Sequence, residues 1–351
     1  MPENKDLMDF GYRLKSARKM AGLSMEDLVK KAGGVVTKQS ISKYEKGMMK
    51  PASDVLICLA SALGVKPEYF FRHTTIEISE IQFRKRAKLS AKKIESLRQR
   101  TIDFLERYIE LETILGLQEK FVNPLINTSI KNYNDVEKAA IQLRDNWNIG
   151  LVPITNLLEL LEENGIKVYE VHNVEDFDGL SAHIGNIHII VINKDLSADR
   201  IRFTAAHELA HILCKFPKGS REEKLCHTFA GAFLLPKSVL ERELMKKREQ
   251  ISLWELEEIK QLYGISIQAI VKRAHILGIV SDFYYRNFQM MINQKGWRKK
   301  ESVEYEGREE AIRFKQLLHY AVNEEVITLS RGAELANISL SDFKEDVRAA
   351  V

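Results

Sequence analysis

His207-Glu208-Leu209-Ala210-His211 has the residue types and order that metal-assisted hydrolysis requires. Side chains four apart on an α-helix share a face about one turn along, so the two imidazoles can converge on one zinc ion at about 2.0–2.1 Å. Glu208 then reaches a water on that metal, takes its proton as it attacks a carbonyl, and delivers the proton to the leaving amine. The metal polarises the carbonyl and lowers the pKa of its water to about 7. A catalytic zinc takes three protein ligands, and the next helical segment, REEKLCHTFAGAFLLP, offers the third. Glu223 is the expected ligand, with His227 four residues on orienting a ligand or the substrate; Glu222 and His227 are the alternatives for ligation. Cys214 and Cys226 read as small buried hydrophobes. His183 and His188 read as strand residues, of which an inward-facing one would stabilise an oxyanion. His73, His172, His275 and His319 have no motif around them.

The elements that must position these residues form a mixed α/β region over 135–240. VEKAAIQLRDNWNI and ITNLLELLEENG read as helices, the second closed by Gly165. IKVYEV, LSAHIG and HIIVIN read as short strands joined by Asp-Gly and Gly-Asn turns. The stretch ADRIRFTAAHELAHILCKF carries Ile201, Phe203, Leu209 and Ile212 on the apolar face of an amphipathic helix. Before this region, residues 121–134 are rich in Asn and contain Pro124, which marks a boundary. Residues 73–134 as a whole read as a helical connector, with apolar positions from Leu89 to Leu111 spaced along one long helix. Residues 241–351 read as a helical region of unassigned role, in which Tyr284, Tyr285, Phe288 and Trp297 serve as core aromatics and ISIQAIVKRAH faintly suggests a second helix-turn-helix.

The first 72 residues read as five short helices. Ser24 with Asp27 three positions on makes an N-terminal cap, Thr37 caps TKQSISKYEKG, and Gly64 closes DVLICLASALG. Pro67 suits the first turn of a final short helix. Charge is concentrated here. The whole chain of 351 residues carries only +4, whereas residues 1–72 hold 13 Lys and Arg against 8 Asp and Glu, a net of +5. A basic front end suits a nucleic-acid contact. The fold class expected is therefore multi-domain and mainly α, with domains at 1–72, 73–134, 135–240 and 241–351. Composition, at 45% hydrophobic and 29% charged, is that of a globular protein. Three scattered cysteines exclude a disulfide framework. The absence of a long apolar run or signal core leads us to expect a cytoplasmic protein with no membrane partner.

Two resemblances follow from these residues. RIRFTAAHELAHILC with EEKLCHTFAGAFLLP, preceded by DGLSAHIGNIHIIVIN, resembles the zinc metallopeptidase domain of the ImmA/IrrE family over roughly 135–240. The resemblance implies a zincin-like α+β domain with zinc held by His207, His211 and Glu223 and with Glu208 as catalytic base. It aligns His227 with a position more often Asp or Asn, ahead of Phe229–Ala230. RLKSARKMAGLSMEDL, SISKYEKG, Pro51 and LASALGV resemble the Cro/cI-type (XRE) helix-turn-helix domain. Here TKQSISKYEKG corresponds to the recognition helix that enters the major groove, although the turn from Gly33 to Thr37 is about two residues longer than is commonest. Lys38, Gln39, Ser40 and Lys43 become the expected base or phosphate contacts.

Together the resemblances imply a DNA-binding transcriptional regulator carrying a zinc endopeptidase. Its expected partners are an operator in double-stranded DNA, a protein substrate (a partner repressor or the chain itself) and a second copy, since paired half-sites call for two recognition helices. The alternative is a non-proteolytic repressor or antitoxin component whose peptidase-like domain senses a signal or binds a toxin-like partner.

Overall fold

Capping chemistry sets the N-terminal helices in the computed structural model, which describes residues 2–72, 82–83, 89–117, 121–217, 219–298 and 300–349. Helix α1 (Pro2–Met20) is followed by α2 (Met25–Lys31), whose Ser24–Asp27 capping box is formed in both directions. In α3 (Lys38–Glu45) the Thr37 hydroxyl accepts the amide of Ser40 at 3.1 Å. Helix α4 (Ser53–Leu63) ends at Gly64 in the left-handed conformation, and Pro67–Phe71 forms a 3-10 turn rather than a fifth α-helix. Phe10, Leu14, Leu28, Ile41, Leu59 and Phe70 fill the core between them. Gly11 lets α1 meet the end of α3: a Cβ there would lie 2.6 Å from the carbonyl of Tyr44.

This first unit comprises residues 1–81, 85–118 and 315–351 by its contacts, so both ends of the chain build it. Helix α5 (Ala91–Ile114), capped by Ser90, packs on α1. A buried ion pair joins Arg13 to Glu106, Lys19 Nζ sits 2.5 Å from Glu95, and the Ser96 hydroxyl donates to the Met20 carbonyl at 2.6 Å. The C-terminal helices α14 (Arg313–Asn323), α15 (Leu329–Ala336) and α16 (Leu340–Ala349) complete the unit. Arg72 reaches Glu334 at 3.1 Å, and Arg107 donates to the Leu335 carbonyl at 2.6 Å.

The second unit comprises residues 82–84 and 119–314. Its sheet has the order β1-β3-β4-β2, from β1 (Gln82–Phe83), β2 (Ile166–Val171), β3 (Gly179–Ile184) and β4 (Ile187–Asn193). Strands β2 and β4 are parallel; β3 runs antiparallel to both β4 and β1. Cross-strand partners such as Ser181 with Ile190 and His183 with His188 fix the register. The helices are α6 (Tyr133–Asn146), α7 (Leu157–Glu163), α8 (Ala198–Leu213), α9 (Ser220–Leu234), α10 (Lys237–Leu244), α11 (Leu253–Tyr263), α12 (Ile267–Ile276) and α13 (Asp282–Gln294). Ile190 and Ile192 of the sheet, Ala205 and Leu209 of α8, and Phe229 and Phe233 of α9 belong to one continuous core.

The mainly helical, multi-domain class expected is the one observed, with two local differences. The connector is not helical throughout: α5 begins only at Ala91, and Gln82–Phe83 pairs as a strand. Much of residues 73–88 lies outside the described residues. The expected boundary at 121–134 carries core side chains, since Phe121, Leu125 and Ile130 are buried in the second unit. Residues 241–351 divide between the two units at 314, and the stretch at α12 has Ile267, Ile270, Val271 and Ala274 in the core rather than on a surface. Residues 300–313 strap the second unit together. Glu301 accepts the amides of Ile267 and Gln268 at 2.9 and 3.0 Å, capping α12, and also meets Lys260. Glu309 caps α7 through the amides of Leu157 and Leu158 and forms a fully buried ion pair with Arg202 of α8.

Candidate functional site

Helix α8 carries His207, Glu208 and His211 inward, at 5, 4 and 6% exposure. The Arg202–Glu309 pair lies upstream on α8, and Asp199 in its first turn meets Lys260 at 3.0 Å. Helix α9 lies against α8, with Glu222 and Glu223 in its first turn, where the helix dipole favours negative charge. This packing brings one ligand atom each from His207, His211 and Glu223 within 4.8 Å of one another. Glu223 Oε2 lies 3.8 Å from His207 Nε2, and Oε1 lies 4.0 Å from His211 Nε2. Two imidazoles and a carboxylate are the donor set of a catalytic zinc site, and the residues present fit that ion.

The remaining candidates take different places. Glu222 Oε1 faces the other nitrogen of His211, Nδ1, at 3.5 Å, and Cys226 Sγ lies 3.5 Å from that same atom. Cys226 is wholly buried, so the expected small hydrophobe also touches a ring of the group. Cys214 is buried apart from it, and burial pushes its thiol up to about 12. His227 is exposed, its ring 4.4 Å from that of His207 and stacked at 5.9 Å on Phe203. It therefore flanks the group beside a ligand candidate.

Sequence reasoning missed Ser181. Its hydroxyl, on β3, donates to Glu208 Oε2 at 2.8 Å, and both residues are buried at 4% exposure. No motif marks it; only the packing of α8 on the sheet reveals it. Alternation along β3 puts His183 on the same face as Ser181. The His183 and His188 rings lie 5.7 Å apart, and burial together with His183 holds the His188 imidazole below its ordinary range.

On α3, Gln39 and Lys43 are exposed, and Lys38, also exposed, pairs with Glu26. Ser40 is half-buried and spends its amide on the Thr37 cap. Ile41 and Tyr44 face the core. The expected contact residues thus include three long side chains at the surface of the helix and one short one engaged in its first turn.

Two family models match this chain. The helix-turn-helix family covers residues 14–70, and the IrrE N-terminal-like domain of peptidase family M78 covers residues 161–275. The second match contains His207, Glu208, His211, Glu223 and the strands above them. A comparison with curated proteins gave no match. Among the described residues, no helix is long and apolar enough to cross a membrane.

Proposed function

We propose that this chain, which joins a helix-turn-helix domain to an IrrE-like peptidase domain, is a DNA-binding regulator that cleaves a regulatory protein, either a partner repressor or itself. The observation that carries the reading is Glu208, buried on the helix that bears both histidines and fixed by Ser181. A purely structural metal site has no use for that carboxylate. His207, His211 and Glu223 are the residues that would hold zinc. When bound, zinc supplies Lewis-acid polarisation of the scissile carbonyl and acidifies the hydrolytic water. Glu208 accepts the proton of the attacking water and returns it to the leaving amine. Ser181 orients the carboxylate through Oε2, and Glu222 and Cys226 orient His211 from its far side. The helix-turn-helix domain delivers this activity to DNA, with Gln39 reading bases and Lys38 and Lys43 meeting phosphates. Two copies on paired half-sites make the bound species a dimer.

Metal analysis of protein purified without added metal tests the site. About one zinc per wild-type chain is expected, and none in His207→Ala/His211→Ala. Glu208→Gln should keep the zinc while slowing cleavage by about 10²–10⁴-fold, read as new N-termini in cells expressing wild type but not the variant. Wild type that stays metal-free when zinc is supplied, or equal cleavage by the Gln variant, would overturn the proposal.

A further inference from the structure

We propose that Lys92 and Lys93, at the start of α5, contact phosphates of the duplex bound by the helix-turn-helix and so carry the DNA surface beyond residues 14–70. The inference rests on the DNA-binding reading above and deepens it, with a site outside the residues that match the helix-turn-helix model. The acidic first turn of α2 joins the pieces. Glu26 there pairs with Lys38 at the start of α3, and the adjacent Asp27 faces Lys92 Nζ at 3.7 Å. In a helix-turn-helix the N-terminal residues of the second helix reach base edges while the first helix crosses the backbone. A cation beside the first turn of α2, next to the start of α3, is placed along that backbone.

Packing holds the two lysines in this place. Lys19 Nζ against Glu95 at 2.5 Å and the Ser96 hydroxyl on the Met20 carbonyl at 2.6 Å fasten the start of α5 to the end of α1, and Leu97 just beyond is buried. Both lysines are exposed. The Lys92–Asp27 pair is a loose one, its side chains 65 and 45% exposed, and pairs of this kind hold weakly. Asp27 also accepts the Ser24 amide at 2.9 Å, so the capping box stays closed when Lys92 turns to a phosphate. The sequence carries the same sign: between Glu80 and Glu95 stand six Lys and Arg and no acid. Each lysine that neutralises a phosphate releases counterions, which raises affinity for any sequence and steepens its fall with salt. Such contacts fix the register and orientation of the protein on the duplex without reading bases.

The test is duplex binding by the full-length chain, followed by anisotropy of a fluorescent mixed-sequence duplex from about 50 to 200 mM salt. Lys92→Ala/Lys93→Ala should lower affinity by about tenfold or more at the low-salt end and reduce the slope of log K against log salt by about 1–2. Lys92→Arg/Lys93→Arg should restore both. Unchanged affinity and slope in the alanine chain, with Lys43→Ala still lowering them, would overturn the inference and leave the DNA-binding reading standing. A loss of affinity at constant slope would overturn it as well, since the lysines would then only support α2 through Asp27. Wild type that binds no duplex at any of these salts would overturn both readings. On a duplex selected from random sequence by the full-length chain, ethylation of single phosphates locates the contacts. Some phosphates whose ethylation weakens wild type should become indifferent in the alanine chain; an unaltered interference pattern would count against the site.

Discussion

Glu162 shows how far a carboxylate's surroundings decide its behaviour. It is nearly fully buried, and Oε2 accepts the amides of Ile312 and Arg313 at 2.9 and 3.0 Å, pinning the end of the strap to α7. Its Oε1 is buried with no hydrogen-bond partner among the described residues. Burial pushes its pKa from 4.5 up to about 7, the two amides offsetting only part of that. The folded chain therefore holds this proton more tightly than the unfolded one. The resulting stability is fully present below about pH 4.5 and is lost as pH rises through about 7, a contribution of about 3 kcal/mol. Denaturant titrations at pH 5 and 8 should show wild type losing about that much more than Glu162→Gln; parallel losses would assign the carboxyl an ordinary pKa. At this scale the sequence was legible wherever spacing along one helix was enough, as for His207, Glu208 and His211, or where the next helix carried an obvious acid, as for Glu223. It was silent on Ser181, because a serine in a strand has no spacing relation to a glutamate 27 residues later. Nor did it show that Glu222 and Cys226 meet the same nitrogen of His211, which depends on the rotation of α9 against α8.

Among the elements, α3 has two kinds of exposed residue, and they should fail differently. Gln39→Ala should weaken binding to an operator selected from random duplexes by about 1–3 kcal/mol and relax the sequence preference at one position. Lys43→Ala should weaken all duplexes alike and reduce the slope of log K against log salt by about 1. Identical responses from the two variants, in preference and in slope, would dissolve this division of labour. Elements with chemical end signals were readable in advance: Ser24, Thr37 and Gly64 stand where helices start and stop. Strand β1 was not read, although Ile76, Ile78, Ile81 and Phe83 approach a strand-like alternation. The charged run that follows them carried the helical pattern too far upstream. The strap was invisible for another reason: Glu301 and Glu309 act through the amides of helices α12 and α7, and nothing local distinguishes them from surface acids.

For the molecule as a whole, the sequence showed a mainly helical chain of several parts but not that one part is built from both termini. Helices α14 and α15 follow the region that matches the IrrE N-terminal-like model and fold with α1 and α5; Arg72, Arg107 and Glu110 find their partners on α15. This has a consequence for self-processing. A single cut between residues 72 and 89 severs the polypeptide but leaves the leading fragment gripped by Arg13–Glu106, Lys19–Glu95 and Arg72–Glu334. Such a product should run as two bands on a denaturing gel and elute as one species of undiminished mass from a sizing column; separate elution would show that these contacts cannot hold the pieces. Nicking there would divide the polypeptide without freeing the helix-turn-helix helices from α5 and α15, which belong to the same unit.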